Sequence, residues 1–153
     1  MGVVYRGQYR GAKVAVKKIN VSGLPVAATT KELKMYCLLS HPNIVRIFGH
    51  YTKNPYLFLV LEFGSKNLRL LLESRSADRL PFSEALPLAL HISNGIMYLH
   101  SQDIIHLDIK SSNVIICDGD VAKIADFGSA RKVITTNTQS TLGKAGRGRY
   151  ASF

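Results

Sequence analysis

The 153-residue sequence has no tryptophan, only two cysteines, and half as many acidic residues as basic ones, 10 against 20. Each shortage excludes something. Cys37 and Cys117 are too few for the disulfide framework of a small secreted domain, and their spacing fits no metal motif. They are expected to be two reduced, partly buried thiols in a cytoplasmic protein. No apolar run approaches the roughly 18 residues of a membrane span, so no membrane role is expected. The opening MGVVYRGQYRG lacks a signal-peptide core, and Arg6 stands where a myristoylation motif wants Ser or Thr. The shortage of acid leaves a net charge of +10, which raises nucleic acid as a partner. Yet the basic residues are scattered through VAVKK, TKELK and SARK, and only GKAGRGR clusters, so nucleic acid is not the expected partner. Phosphate-bearing small molecules and acidic partners suit the charge equally well. What is present, 46% hydrophobic and 20% charged residues, is the composition of a globular chain, and the length favours one domain.

Along the chain, GVVYRGQY and AKVAVKKI are β-branched runs separated by RG, a hairpin signal. PVAATTKELKMYCLLS has helical spacing, with Leu33, Tyr36, Cys37 and Leu39–Ser40 near one face. NIVRIFGHYT and YLFLVLEFG read as two more strands around the turn KNP. After EFG the character changes. NLRLLLESRS reads as a short helix and FSEALPLALHISNGIMYLHSQ as a longer one. The longer helix has Leu86, Leu90, Ile92, Ile96, Met97 and Leu99 as its apolar positions, Ser83 as its N-cap and Pro87 within its first two turns. NVIICDG and VAKIADFG are short strands joined by DGD. The tail SARKVITTNTQSTLGKAGRGRYASF reads as a long mobile loop. The chain is therefore α+β: a small antiparallel sheet with one helix, then a mainly helical part.

Four chemistry-bearing pieces lie along these elements. VAVK ends in Lys17 on a strand. Glu32 follows fifteen positions on, early in a helix. HLDIKSSN, His106 to Asn113, comes just after the long helix. DFG, Asp126 to Gly128, starts thirteen residues after Asn113 at a strand end. Taken singly, each has a plain structural reading: a solvated edge-strand lysine, half of a surface pair, a polar loop after a helix, a turn tripeptide. Taken in order, on the elements expected, they resemble the eukaryotic protein kinase domain over the whole chain. GVVYRG then corresponds to the tail of its glycine-rich loop, of which Gly2 remains.

The resemblance implies a kinase fold, ATP and Mg²⁺. Lys17 would hold the phosphates and Glu32 would hold Lys17. Asp126 and Asn113 would offer oxygen ligands to Mg²⁺, a hard ion. Asp108 would orient the attacking hydroxyl and take its proton, and Lys110, which marks the serine/threonine pattern, would neutralise charge on the transferring phosphate. Leu61 would be the gatekeeper, and Glu62 to Gly64 the hinge that meets adenine through its backbone. Val4, Ala15 and Ile115 would sandwich the ring, and Tyr36, Ile47, His106 and Phe127 would stack between the lobes. Residues 1–61 would be a small lobe lacking its first strand, 62–66 the hinge, and 67–153 a partial large lobe ending in the activation segment.

VYRGQYRGAKVAVKKIN, LEFG and above all LHSQDIIHLDIK look like the Mos family of germ-cell serine/threonine kinases, whose loop reads H-L-D. That likeness implies a MAP kinase kinase as protein substrate, in meiosis. The mixed-lineage and receptor-interacting groups of tyrosine-kinase-like serine/threonine kinases are the runner-up. The sequence departs from the family pattern at both ends. Met1 stands where an interior residue belongs, and GRGRYASF replaces G-T-x-x-Y-x-A-P-E, with Arg147 at the Thr position and Phe153 at the Pro position. The expectation is a fragment of a kinase, and a truncated, non-catalytic kinase-like binding module is the alternative.

Overall fold

In the computed structural model, residues 2–23, 31–75 and 79–133 are described. The chain opens with strands β1 (Val3–Tyr9) and β2 (Ala12–Asn20), then helix α1 (Lys31–Leu38) and strands β3 (Ile47–Lys53) and β4 (Tyr56–Glu62). The four strands form one antiparallel sheet in the order β1-β2-β4-β3. The RG hairpin forms as read: Arg10 and Gly11 both have positive φ, 50° and 82°, as a two-residue turn matched to strand twist requires. α1 carries Glu32 in its first turn. The expected start of this helix, 25–30, lies outside the described residues. Its buried face also differs: Met35 and Tyr36 point into the core, while Cys37 is exposed. Cys117, by contrast, is buried, and burial pushes its thiol up to about 11.

NIVR does not begin a strand. Residues 43–45 leave the sheet and run beside β8 (Val121–Ile124) instead. Val45 N donates to Ile124 O at 2.9 Å, Ile124 N donates to Asn43 O at 2.9 Å, and Asn43 Nδ2 donates to Ala122 O at 3.1 Å. The sheet side is thus hydrogen-bonded to the rest of the chain independently of the covalent link at 62–66. The main apolar cluster follows the same path, joining Tyr36, Leu59 and Leu61 to Leu99, Ile124 and Phe127.

Beyond Glu62 come β5 (Lys66–Asn67), α2 (Leu68–Glu73), α3 (Phe82–Ser101), β6 (Ile104–Ile105), β7 (Val114–Cys117), β8 and β9 (Arg131–Lys132). Asn67 caps α2, its side chain accepting from Leu70 N at 2.8 Å. Ser83 does not cap α3: the helix begins at Phe82, and the Pro81 carbonyl receives the N–H groups of Glu84 and Ala85, both at 2.9 Å. Pro87 sits inside the second turn. The tail read as a loop starts differently, because β9 pairs with β6 (Ile104 with Lys132) and Ala130 is fully buried. Residues from 134 on lie outside the described residues.

α3 is packed on one face only. Leu88, Gly95 and Leu99 are buried, and Gly95 is held close: a Cβ there would lie 2.9 Å from the Asn43 carbonyl oxygen. Leu86, Leu90 and Met97, three of its apolar positions, are exposed with Phe82 on the opposite side. Positions 82, 86, 90 and 97 fall within about 80° of arc at 3.6 residues per turn, so they form one stripe. Such a patch is an aggregation liability. The chain on its own is expected to self-associate as concentration rises, and Leu86→Lys, Leu90→Lys and Met97→Lys together should reduce this in light scattering. A parent chain that is monodisperse at all concentrations would contradict the expectation.

Candidate active site

Two strands and a helix deliver one charge cluster. Lys17 pairs in register with Leu59, which is fully buried, so its side chain rises from the core face of the sheet. Its Nζ lies 2.7 Å from Glu32 Oε1 of α1 and 2.8 Å from Asp126 Oδ1 beyond β8. Burial pulls the Lys17 ammonium down, but the charges and hydrogen bonds of Glu32 and Asp126 outweigh it and hold the pKa above the ordinary lysine value. For Asp126 burial pushes the other way, upward, and the hydrogen bond and charge of Lys17 bring the carboxyl below its usual range. VAKIADFG ends as a strand at Ile124 because Asp126 turns to φ 63°. That left-handed turn points its backbone N–H to the Tyr36 hydroxyl at 3.1 Å.

HLDIKSSN forms the second cluster. His106 is buried, its ring edge-on to Phe127 at 5.1 Å, and Phe127 is edge-on to Tyr36 at 5.0 Å. Ile47 packs against the same core. Burial pushes the His106 pKa down, and the neutral ring has one donor and one acceptor. Asp108 N donates to Nδ1 at 3.3 Å, so Nε2 carries the proton given to Ala125 O at 3.0 Å. Leu107 sits between them at φ 64° with its side chain exposed. Lys110 Nζ lies 2.8 Å from Asp108 Oδ2, and this hydrogen bond holds the Asp108 carboxyl below its usual range. Asn113 Nδ2 donates to both Asp108 O and Asp108 Oδ2 at 2.9 Å. Both protons of that amide are thereby used toward Asp108, and its oxygen is left available.

A cavity of about 530 Å³ opens beside these clusters. Val4, Ala15, Lys17, Leu61, Glu62, Gly64, Asn113, Ile115 and Asp126 line it. Glu32, Asp108, Lys110 and Gly2 are not in the lining. Glu32 acts on it through Lys17, Asp108 and Lys110 adjoin it through Asn113, and Gly2 lies beside the Lys17 side chain, where a Cβ would meet Lys17 Cε at 3.3 Å. Gly64 admits no side chain, since a Cβ would fall 1.9 Å from Ile115 Cγ2. The lining also includes Phe63 and Ser65 of the expected hinge, and Leu70 and Ser112, which the sequence reading did not single out. Leu70 comes from α2, and no local pattern marks which of its apolar residues turns to the cavity. Among the described residues no group of three His, Cys, Asp or Glu gathers. Asp126 and Asn113 bring one carboxylate and one amide oxygen to the cavity, which suits a hard divalent ion that takes its other oxygens from phosphates and water.

The family described as "Protein kinase domain" matches residues 1–148. The serine/threonine/tyrosine-protein kinase HT1 of Arabidopsis thaliana is 35% identical over 96% of this chain and 39% of its own length. The probable serine/threonine-protein kinase kinX of Dictyostelium discoideum is 35% identical over 91% of this chain and 13% of its own. The proto-oncogene serine/threonine-protein kinase mos of Rattus norvegicus is 35% identical over 86% and 44%. The chain thus spans less than half the length of these relatives.

The Lys17 cluster makes a test by titration possible. Asp126 has a depressed pKa in the fold, so its ionisation adds stability above the ordinary carboxylate range and loses it as pH falls through the folded value. Lys17→Met removes the cation and leaves burial to push the carboxyl upward, which reverses that contribution. The gap in Tm between parent and Lys17→Met is expected to be widest at neutral pH and to narrow toward about pH 4. A gap that stays constant across this span would show that Lys17 does not hold Asp126.

Proposed function

The chain belongs to the protein kinase domain family, and from that premise we propose that it transfers the γ-phosphate of ATP to a serine or threonine hydroxyl of a protein. The observation that carries this reading is Lys17, bonded at once to Glu32 and Asp126 at the edge of the cavity. Adenine would lie between Val4 and Ala15 on one side and Ile115 on the other, against the backbone of Glu62 to Gly64, with Leu61 behind it. Lys17, kept in place by Glu32, would meet the phosphates. Asp126 and Asn113 would hold Mg²⁺, which when bound supplies charge neutralisation at the phosphates. Asp108 would orient the substrate hydroxyl and take its proton as oxygen bonds to phosphorus and the bond to ADP breaks, while Lys110 offsets the charge that develops. Residues 1–61 would act as the small lobe, 62–66 as the hinge and 67–153 as part of the large lobe.

For the substrate we take a MAP kinase kinase, phosphorylated in the cytoplasm during meiosis. The support is LHSQDIIHLDIK and the match to mos. HT1 matches equally well in identity, so another tyrosine-kinase-like serine/threonine kinase is the competing assignment, and the choice falls to the substrate assay. With a MAP kinase kinase whose own catalysis has been removed, the chain and Mg-ATP are expected to place phosphate on Ser or Thr. Asp108→Asn should slow this by about 10²–10⁴-fold. Because Lys110 holds the Asp108 pKa down, Lys110→Met should also move the acid limb of the rate to higher pH. Phosphate appearing at the parent rate in Asp108→Asn would refute the role.

Leu107 yields a further expectation. Its apolar side chain cannot make the charge-assisted bond by which a basic residue there would order a phosphorylated loop. In a complete version of this kinase, replacing Thr135, Thr136, Thr138, Ser140 and Thr141 together by Ala is therefore expected to leave the initial rate within about a few-fold of the parent. A loss of about a hundredfold, with unchanged circular dichroism, would assign the phosphate-binding role to another basic residue.

A further inference from the structure

The positive charge of this chain is not evenly spread. Nine of its basic residues but only one acidic residue, Glu32, lie within 1–61, so that stretch carries +8 of the net +10. Glu32 is taken up by Lys17. None of the other eight cations of this stretch makes an ion pair among the described residues. Arg6 lies over the Phe63 ring, Arg10 over Tyr9, Lys18 over Tyr56 and Arg46 over Phe48. Such stacking holds a cation in place without cancelling its charge.

Strand register sorts these residues onto two faces. The row containing Lys17 and Leu59 faces the core, so the neighbouring row Val3, Lys18, Phe58 and Tyr51 lies on the outer face across all four strands. On one side of it run Tyr5, Val16 and Val60, and on the other Asn20, Tyr56 and Lys53. Val3, Tyr5 and Tyr51 are 57%, 50% and 62% exposed. Lys18 Nζ sits 3.8 Å from the centre of the Tyr56 ring, and Lys53 is the direct cross-strand neighbour of Tyr56. These three rows contain two cations, four aromatic rings and no carboxylate.

We infer that this outer face docks an acidic segment of another protein, in which carboxylates alternate with apolar side chains. The carboxylates would meet Lys18 and Lys53, and the apolar side chains would cover Val3, Tyr5 and Tyr51. A nucleic acid fits less well. It needs a track of cations and free ring faces for stacking, whereas Lys18 covers one face of Tyr56. Tyr51 and Tyr56 are turned against Phe58 at 34° and 62°, with centroids 6.2 and 6.4 Å away. Arg6 and Lys13 fall on the opposite face by register. Attraction of ATP does not account for the patch either, because Lys17 projects from the other side of the sheet.

The test uses the full chain and a short labelled peptide of alternating Glu and Val, followed by fluorescence anisotropy. Polyuridylate and phosphatidylserine vesicles are run beside it. The peptide is expected to bind, to weaken with salt, and to lose about tenfold or more in affinity with Lys18→Glu plus Lys53→Glu. Tyr51→Ala should weaken it less. A Lys-Val peptide should bind the doubly reversed chain better than the parent. Nucleotide binding in the cavity should be unchanged in these variants, which keeps this inference separate from the kinase reading. If charge reversal harms the fold, Lys18→Gln plus Lys53→Gln should act in the same direction. Absence of peptide binding, binding that the variants leave intact, or tighter binding of polyuridylate or vesicles at the same residues would overturn the inference.

Discussion

The Lys17 ammonium is shared between two carboxylates that arrive from distant parts of the chain, and the cavity takes its form around that sharing. Glu32 is 15 residues away and Asp126 is 109. Lys17 and Glu32 are each 12% exposed, so either charge without its partner would be costly. Holding the three together sets the position of α1 against the sheet and of the DFG turn against both. The Tyr36 hydroxyl, one turn along α1 from Glu32, accepts from the backbone of Asp126, so charge and packing specify the same placement.

A second connection keeps the two sides of the cavity in register. Residues 43–45 bond to β8, and Glu62 closes the circuit. Its backbone N–H donates to Arg46 O at 2.8 Å, Arg46 N donates to its Oε2 at 3.2 Å, and Lys123 of β8 reaches its Oε1 at 2.6 Å. The segment that covalently links the two sides is thereby also tied to each of them. With the main apolar cluster running through the same region, the two sides share a core, and a second, smaller cluster of Leu88, Val114, Ile116 and Ala122 lies beyond Glu62.

Two of the five non-glycine residues with positive φ among the described residues lie beside the chemistry-bearing side chains. Leu107 and Asp126 both have positive φ without being glycine, a conformation that costs L-residues energy and persists where the surroundings over-determine it. His106 and Asn113 supply those surroundings. The buried imidazole joins the backbone of Asp108 to that of Ala125, and the amide joins Asp108 to the end of the same turn.

Local chemistry determined a good deal of this protein. The Arg10-Gly11 turn, six of the strands, the three helices and the ordered set VAVK, Glu32, HLDIKSSN and DFG were legible because periodicity, turn preference and motif spacing are properties of neighbouring residues. That set alone pointed to the family that matches residues 1–148. The misses share one cause. NIVR has strand-like residues but bonds to β8, and Arg131–Lys132 lies in a loop-like stretch but pairs with β6. In each case the deciding partner is remote in sequence, and a hydrogen-bond ladder or buried face exists only once that partner is in place. The same holds for Leu70 in the cavity lining and for the outer-face rows of Lys18 and Tyr56. Sequence supplies the residue types, but strand register and the approach of distant elements settle which side chains share a surface.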